Sequence, residues 1–239
     1  VNEFKEHRMK AVKWTLVVVT ILAVVSPAGA ADSHKVLEQN QPPVVRQVDV
    51  ATWLTQAPNQ VNGIFSDAGC DICYGQQVLA DNVVLSTGGV GVNLNQAVIW
   101  GGYYPGNTPT AANFEIIIHS DAGGLPGGVI CQFSVLPTAD VLTGVTLFGV
   151  SEHQLTLDFP NCTLGSEQTY FIEIYTNTGA GTDDWFWETG NLDATHGVAG
   201  QAYAFSAPGS GWSYDATQDM SITLNGDLVP VELQSFDIE

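Results

Sequence analysis

The sequence predicts an all-β fold, a single antiparallel β-sandwich, jelly-roll-like in its many short strands and stapled by disulfides. Three observations predict it. Apolar residues alternate with period two, most clearly where Phe114, Ile116 and Ile118 share one face of a segment and Glu115, Ile117 and His119 share the other. Turn signals recur at short intervals: Gly88-Gly89, Pro105-Gly106-Asn107, Leu125-Pro126-Gly127, Gly179-Ala180-Gly181, Pro208-Gly209-Ser210-Gly211 and Asn225-Gly226-Asp227. No segment sustains an apolar period of about 3.6 residues, and no internal repeat points to a solenoid or propeller.

In chain order, residues 1–30 read as upstream residues followed by a secretory signal. Met9-Lys10-Ala11-Val12-Lys13 supplies the positive region, 15–25 the apolar run, and Ala28 and Ala30 the small-residue cleavage site. The apolar run is too short for a membrane span, so no stable membrane insertion is expected. Residues 31–49 are polar and contain proline, and read as a flexible leader. The sandwich is expected over 50–228, with strands at 61–66, 77–86, 92–101, 113–120, 129–135, 145–150, 153–159, 169–176, 184–188, 201–206 and 219–225. The stretch around 98–133 organises the rest. Val98-Ile99-Trp100 is expected to run into a turn at Gly101-Gly102, and a glycine-rich turn at 121–128 feeds the strand beginning at Val129. Residues 229–239 form a short tail with no terminal apolar helix and no basic cluster, expected to be a closing β-segment or a remnant.

Charge excludes several functions. The formal net charge is −19, and from Val50 to Glu239 there is no Lys or Arg against twenty Asp and Glu. Such a surface repels phosphate backbones, so no nucleic-acid partner is expected. Neither a Lys base nor an Arg clamp exists there for Schiff-base or phosphoryl chemistry. Cations, neutral sugars or a salty medium suit it better.

Four cysteines in an exported chain predict two disulfides, with three possible connectivities. Cys70–Cys73 with Cys131–Cys162 is favoured, because a strand at 129–135 can lie beside the segment ending at Asn161. The Cys70-Asp71-Ile72-Cys73 spacing also suits redox or zinc chemistry. It lacks the βαβ context of the first and the further ligands of the second, which leaves a structural staple.

Three sets of candidate site residues emerge. Glu115 and Glu173 are strand carboxylates of the kind that sandwich-fold glycosidases use in pairs, although no Glu-x-Asp-x-x-Glu strand motif accompanies them. The aromatic set is Trp100, Tyr103, Tyr104, Trp185, Trp187, Trp212 and Tyr214, interleaved with the Asp, Asn and Gln that sugar stacking sites need. Tyr103, Tyr104 and Trp212 are expected to be the most exposed, since they adjoin Gly/Pro turns. Trp185 and Trp187 share a face opposite Phe186, so one ring set should lie outside the core. Oxygen-rich turns containing Asp121, Asp183 and Asp184 are the candidate calcium ligands, without an EF-hand or nonapeptide pattern. The histidines are scattered and show no zinc spacing.

Several motifs together carry a family resemblance. They are Asp67-x-x-Cys70-x-x-Cys73, Gln76-Gln-Val-Leu-Ala-Asp-Asn-Val-Val-Leu85, Val98-Ile-Trp-Gly-Gly-Tyr-Tyr104, Phe114-Glu-Ile-Ile-Ile-His-Ser-Asp-Ala-Gly-Gly-Leu-Pro-Gly127 and Gly181-Thr-Asp-Asp-Trp-Phe-Trp187. The chain resembles, over about 64–228, a group of exported bacterial β-sandwich proteins of uncharacterised function that often carry C-terminal anchoring or sorting tails. The resemblance implies export, a sandwich fold and a disulfide between Cys131 and Cys162, and implies no activity. The Pro230-Val-Glu-Leu-Gln-Ser-Phe236 run is similar to the opening of a sorting domain.

These readings together predict a secreted, non-catalytic extracellular binding module, bacterial in origin, with neutral carbohydrate as ligand and calcium possible as cofactor. The alternative is a calcium-stabilised structural or adhesive protein of a surface matrix; a glycoside hydrolase using Glu115 and Glu173 is the third reading.

Overall fold

Alternation along the chain is resolved into fourteen strands and two antiparallel sheets in a computed structural model. It describes residues 51–73, 76–109, 113–179, 181–191, 201–205 (backbone only) and 211–229. The expected signal, leader and nearly all of the tail lie outside the described residues. Among those residues there is no helix long and apolar enough to cross a membrane.

The strands are β1 (Ala51–Gln56), β2 (Pro58–Phe65), β3 (Gln77–Val84), β4 (Val92–Tyr104), β5 (Phe114–Asp121), β6 (Pro126–Val135) and β7 (Ala139–Leu147). They continue as β8 (Val150–Leu164), β9 (Thr169–Thr176), β10 (Asp184–Gly190), β11 (Gln201–Phe205), β12 (Ser213–Asp215), β13 (Asp219–Met220) and β14 (Ile222–Leu228). One sheet has six strands in the order β12-β11-β3-β9-β5-β6. The other has eight: β7 pairs β8, β8 pairs β4, and β14 and β10 follow one another along the far side of β4, β14 flanked by β1 and β10 by β2 and β13. The chain passes repeatedly from one sheet to the other, the jelly-roll-like habit expected of the sequence.

The inner faces meet in one apolar core containing Leu79, Leu94, Ile99, Phe114, Ile116, Ile118, Leu155, Leu157, Ile172, Ile174, Trp185, Trp187 and Leu224. Each is the inward member of a period-two pattern. Both disulfides form with the favoured connectivity. Cys131 on β6 and Cys162 on β8 join the two sheets, with Cα atoms 6.1 Å apart. Cys70–Cys73 closes a small loop, whose Asp71 and Ile72 amides donate to the Asp184 carboxylate at 3.2–3.3 Å. Disulfide pairing of this kind belongs to chains that fold in an oxidising environment.

Three expectations fail for identifiable reasons. Gly101-Gly102 is no turn; β4 runs through it to Tyr104. A Cβ on Gly101 would lie 2.0 Å from the Phe186 carbonyl oxygen and 2.5 Å from the Trp185 ring, so glycine there permits close strand approach. Residues 145–150 are not a strand of their own. They hold the end of β7, a turn at Phe148-Gly149 with φ of 52° and 88°, and the first residue of β8. β8 continues beyond Phe159 through Pro160 to Leu164, where β7 no longer pairs with it and a missing N–H costs little.

Candidate functional site

The outer face of the six-stranded sheet mixes apolar and polar side chains. Register places Asn82, Phe171 and His119 in one row across β3, β9 and β5, and Ala80, Glu173 and Ile117 in the next. Ala80 is the small residue of this face, and Trp212 lies down where it leaves space. The indole packs on Val78, Ile117 and Tyr175 on one side and on Ala80 and Phe171 on the other. Beyond Trp212 opens a cavity of about 550 Å³ lined by Phe171, Trp212, Tyr214, Leu125, Asn82 and Asp121, with Thr169, Ser213, Gly123 and Gly124. One wall is the β5–β6 turn, held in shape by the Gly124 amide donating to Asp121 Oδ1 at 2.8 Å. The opposite wall is the chain leading into β12.

Aromatic faces on three sides, with an amide and a carboxylate at the rim, are the furnishing of a site for a ligand that is apolar in its faces and hydroxylated at its edges. Electrostatics disfavour anions. The Tyr214 hydroxyl is pushed above its ordinary pKa first by burial and then by the charges of Asp219, Asp81 and Asp215. The cavity therefore has a negative potential with no cation to balance it among the described residues of the fold.

Beneath the indole, beside the cavity, lies a buried pair. Glu173 Oε2 sits 2.8 Å from His119 Nε2, and His119 Nδ1 faces the Gly127 carbonyl at 3.2 Å. His119 thus bridges the Glu173 carboxylate and the Gly127 carbonyl. The His119 ring meets Trp212 edge-on, with centroids 6.0 Å apart. The pair thus braces the indole and the β5–β6 turn.

The other sequence candidates are dispersed. Tyr103, expected to be among the most exposed rings, is 2 % exposed, and Trp185 and Trp187 are fully buried. Continuation of β4 through the two glycines turns Tyr103 inward beside Ile99, and burial together with the charges of Asp140 and Asp67 pushes its hydroxyl pKa up. Trp187 donates its Nε1–H to the Ser221 carbonyl at 2.7 Å. These three rings belong to the core and cannot stack on a ligand. Trp100 is half-buried on the outer face of the eight-stranded sheet, and Tyr104 is half-buried in a separate aromatic cluster there. Trp212 is half-buried, whereas Tyr214 is 41 % exposed. Only Trp212 and Tyr214 of the aromatic set meet in one cavity, and Phe171, Asn82 and Leu125 join them without having been singled out.

Glu115 and Glu173 are diagonal neighbours on the outer face of β5 and β9, and neither lines the cavity. Asp121 lies at the far end of β5, whereas Asp183 and Asp184 lie at the β9–β10 connection near the other end, so the three do not form one ligand set. Asp183 is engaged by the Gly106 and Thr108 amides at 2.8 and 2.7 Å. Burial pushes the Asp184 pKa up against the pull of its two amide bonds. Among the described residues no group of three or more His, Cys, Asp or Glu is placed to hold a metal.

Sequence reasoning missed a second theme. With no Lys or Arg in the fold, buried acids must pair with amides, hydroxyls, histidine or one another. Asp81 points between the sheets, accepts from the Met220 amide at 2.9 Å, and is pushed up by burial and by the charge of Asp219. Glu152 and Glu188 form a second acid pair on the outer face of the eight-stranded sheet. Burial, and then a hydrogen bond and charge from Glu152, push Glu188 up to about 8. One oxygen of each, Glu152 Oε1 and Glu188 Oε2, is buried without a hydrogen-bond partner, and the raised Glu188 pKa keeps a proton on that carboxyl in the folded chain.

A pH dependence follows. Between the ordinary value of 4.5 and about 8, only the folded chain holds this proton, so stability falls as pH rises through that window. Glu188→Gln, which retains an oxygen for the Gln60 amide now 2.7 Å away and offers an N–H to Glu152, is expected to flatten this slope and raise Tm above pH 8. Thermal unfolding of both proteins at pH 5, 7 and 8.5 checks it; parallel profiles would contradict the shared proton.

Fold and cavity together define a disulfide-stapled two-sheet sandwich with an aromatic-lined hollow on one outer face. In comparisons with known proteins, no protein-family model and no curated protein matches this chain.

Proposed function

We propose that this protein is a secreted, non-catalytic binding module of the extracellular space whose ligand is a neutral carbohydrate, held in the cavity between Trp212, Tyr214 and Phe171. One observation carries the reading: three aromatic side chains and the polar rim of Asn82 and Asp121 converge on a single open hollow of sugar size. The negative potential around Tyr214 favours a neutral ligand over an anionic one. Export as a bacterial surface or secreted protein is supported by the two disulfides and by the resemblance of the sequence motifs to exported sandwich proteins. Catalysis by Glu115 and Glu173 has little support, because Glu173 is committed to His119 and neither carboxylate faces the hollow.

The test is retention of the folded protein by a panel of insoluble neutral polysaccharides, in calcium and in chelator. Retention by a defined glycan, weakened severalfold or more by Tyr214→Ala, supports the module, since one aromatic wall of the hollow is then lost. Tyr214 is exposed, so its loss leaves the core intact. Retention lost in chelator alone would assign calcium a role in shaping the site. Absence of retention on every glycan, with concentration-dependent self-assembly, would replace this reading by the structural or adhesive one.

A further inference from the structure

The opposite outer face carries a second hollow that the carbohydrate reading leaves unused. It has a volume of about 260 Å³ and is lined by Gly63 and Phe65 of β2, Tyr104 of β4, Phe148 of the β7–β8 turn and Phe186 of β10. The rings stand at steep angles to one another. Phe65 and Tyr104 are tilted by 59° with centroids 6.3 Å apart, and Phe148 meets Phe186 at 80° and 5.5 Å. Two glycines make the space: a Cβ on Gly63 would lie 2.3 Å from the Phe186 ring, and one on Gly102 would lie 2.8 Å from it.

Phe148 is the informative wall. It is 52 % exposed and sits at φ 52°, a left-handed conformation that strains a bulky residue. Glycine would relieve that strain, and exposure of the ring gains little from burial, so packing alone does not account for phenylalanine here.

The electrostatics specify what fits. The lining is four aromatic rings, whose faces are negative at their centres, with no hydrogen-bonding side-chain group except the Tyr104 hydroxyl. Glu152 and Glu188 lie on the same outer face, across Gly102 and alongside Phe186, each with a buried oxygen lacking a further partner. No Lys or Arg occurs anywhere from Val50 onward to compete. A primary ammonium or guanidinium entering this hollow would surrender its water without regaining hydrogen bonds. A cation that carries methyl groups in place of N–H has none to lose, and several aromatic faces around such a charge are the recognised means of holding it.

We propose that the cage of Phe65, Tyr104, Phe148 and Phe186 binds a quaternary ammonium group, such as the trimethylammonium end of a choline- or betaine-type molecule. The site is on the opposite sheet from the Trp212 cavity and does not depend on it.

Titration of the whole protein with choline, and with its neutral isostere 3,3-dimethylbutan-1-ol, followed by calorimetry or by NMR of the aromatic resonances, tests the proposal. Choline is expected to bind about tenfold more tightly than the isostere, the worth of one or two cation–π contacts. Phe148→Leu keeps an apolar wall but removes a π face. It should weaken choline several-fold, leave the isostere unchanged and leave Tm within a degree or two, which separates lost recognition from lost folding. Choline binding together with co-sedimentation on phosphatidylcholine vesicles would assign the group to a lipid headgroup; binding without co-sedimentation would assign it to a soluble ligand. Equal affinity for cation and isostere, no choline binding up to tens of millimolar, or a Phe148→Leu protein indistinguishable from the parent would each overturn the assignment.

Discussion

Asp67→Asn is expected to destabilise the fold by about 3–5 kcal/mol, a large share of the total stability of a domain this size. Asp67 is fully buried just beyond β2, and its carboxylate gathers three segments. Oδ1 accepts the amides of Gly69 at 2.8 Å and Thr178 at 3.2 Å; Oδ2 accepts the Thr178 hydroxyl at 2.6 Å and the Trp185 amide at 3.0 Å. Its backbone also bridges Gln77 and Thr176, so the residue ties together the ends of β9, the start of β10 and the loop into β3. Asparagine has the same shape but turns one oxygen into an N–H₂. With the amide nitrogen at the Oδ1 position, the Gly69 and Thr178 N–H groups lose their acceptor; at the Oδ2 position the Thr178 hydroxyl can turn to accept, but the Trp185 N–H is left buried without an acceptor. Urea unfolding at neutral pH reads the change as a lower midpoint at unchanged slope. A variant within about 0.5 kcal/mol of the parent would show that this cluster is not the tie described.

The second large effect is loss of the bridge between the sheets. Cys131→Ser with Cys162→Ser opens a loop closed at a sequence separation of 31, worth about 3–4 kcal/mol in the chain-entropy account. Both cysteines face the main core, where Cys162 is fully buried, so each serine also leaves a hydroxyl among apolar neighbours. Opening Cys70–Cys73 should cost roughly half as much, because a separation of 3 removes far less chain entropy. Comparing the two double-serine proteins by thermal unfolding checks the ranking. If the Cys70/Cys73 variant were the less stable, the sheets would be held by packing and the loop by its bridge, opposite to the order expected here.

How much of this was legible in the chain depends on whether a signal is local. Strands such as Phe114–Asp121 and Thr169–Thr176 announce themselves, because their alternation reflects one face buried in the core. Ala139–Leu147 does not: it is an edge strand, exposed along most of its length, so no burial imprints a period on it. Gly101-Gly102 misleads because glycine serves turns and close strand approaches alike, and the Phe186 carbonyl that demands it is some eighty-five residues away. That single misreading puts Tyr103, a ring expected at the surface, in the core. Trp212 and Tyr214 were recognisable beside their glycine- and proline-rich segment. Their partners Phe171 and Asn82 were not, since the pairing of Asn82 with Phe171 is a property of register between distant strands. The acid pairs are hidden for the same reason. Absence of Lys and Arg foretells that buried carboxylates must share protons or amides, but only the sheet order shows that Glu152 meets Glu188 and Asp81 meets Asp219.

The most direct measurement is affinity electrophoresis of three proteins, the parent, Tyr214→Ala and Phe148→Leu, through gels containing each of a panel of soluble neutral polysaccharides. The expected result is retardation of the parent by at least one glycan, lost in Tyr214→Ala and kept in Phe148→Leu, which places sugar binding in the cavity floored by Phe171. Equal retardation of all three would move the binding elsewhere on the surface, and free migration of the parent in every gel would contradict the carbohydrate-binding reading itself.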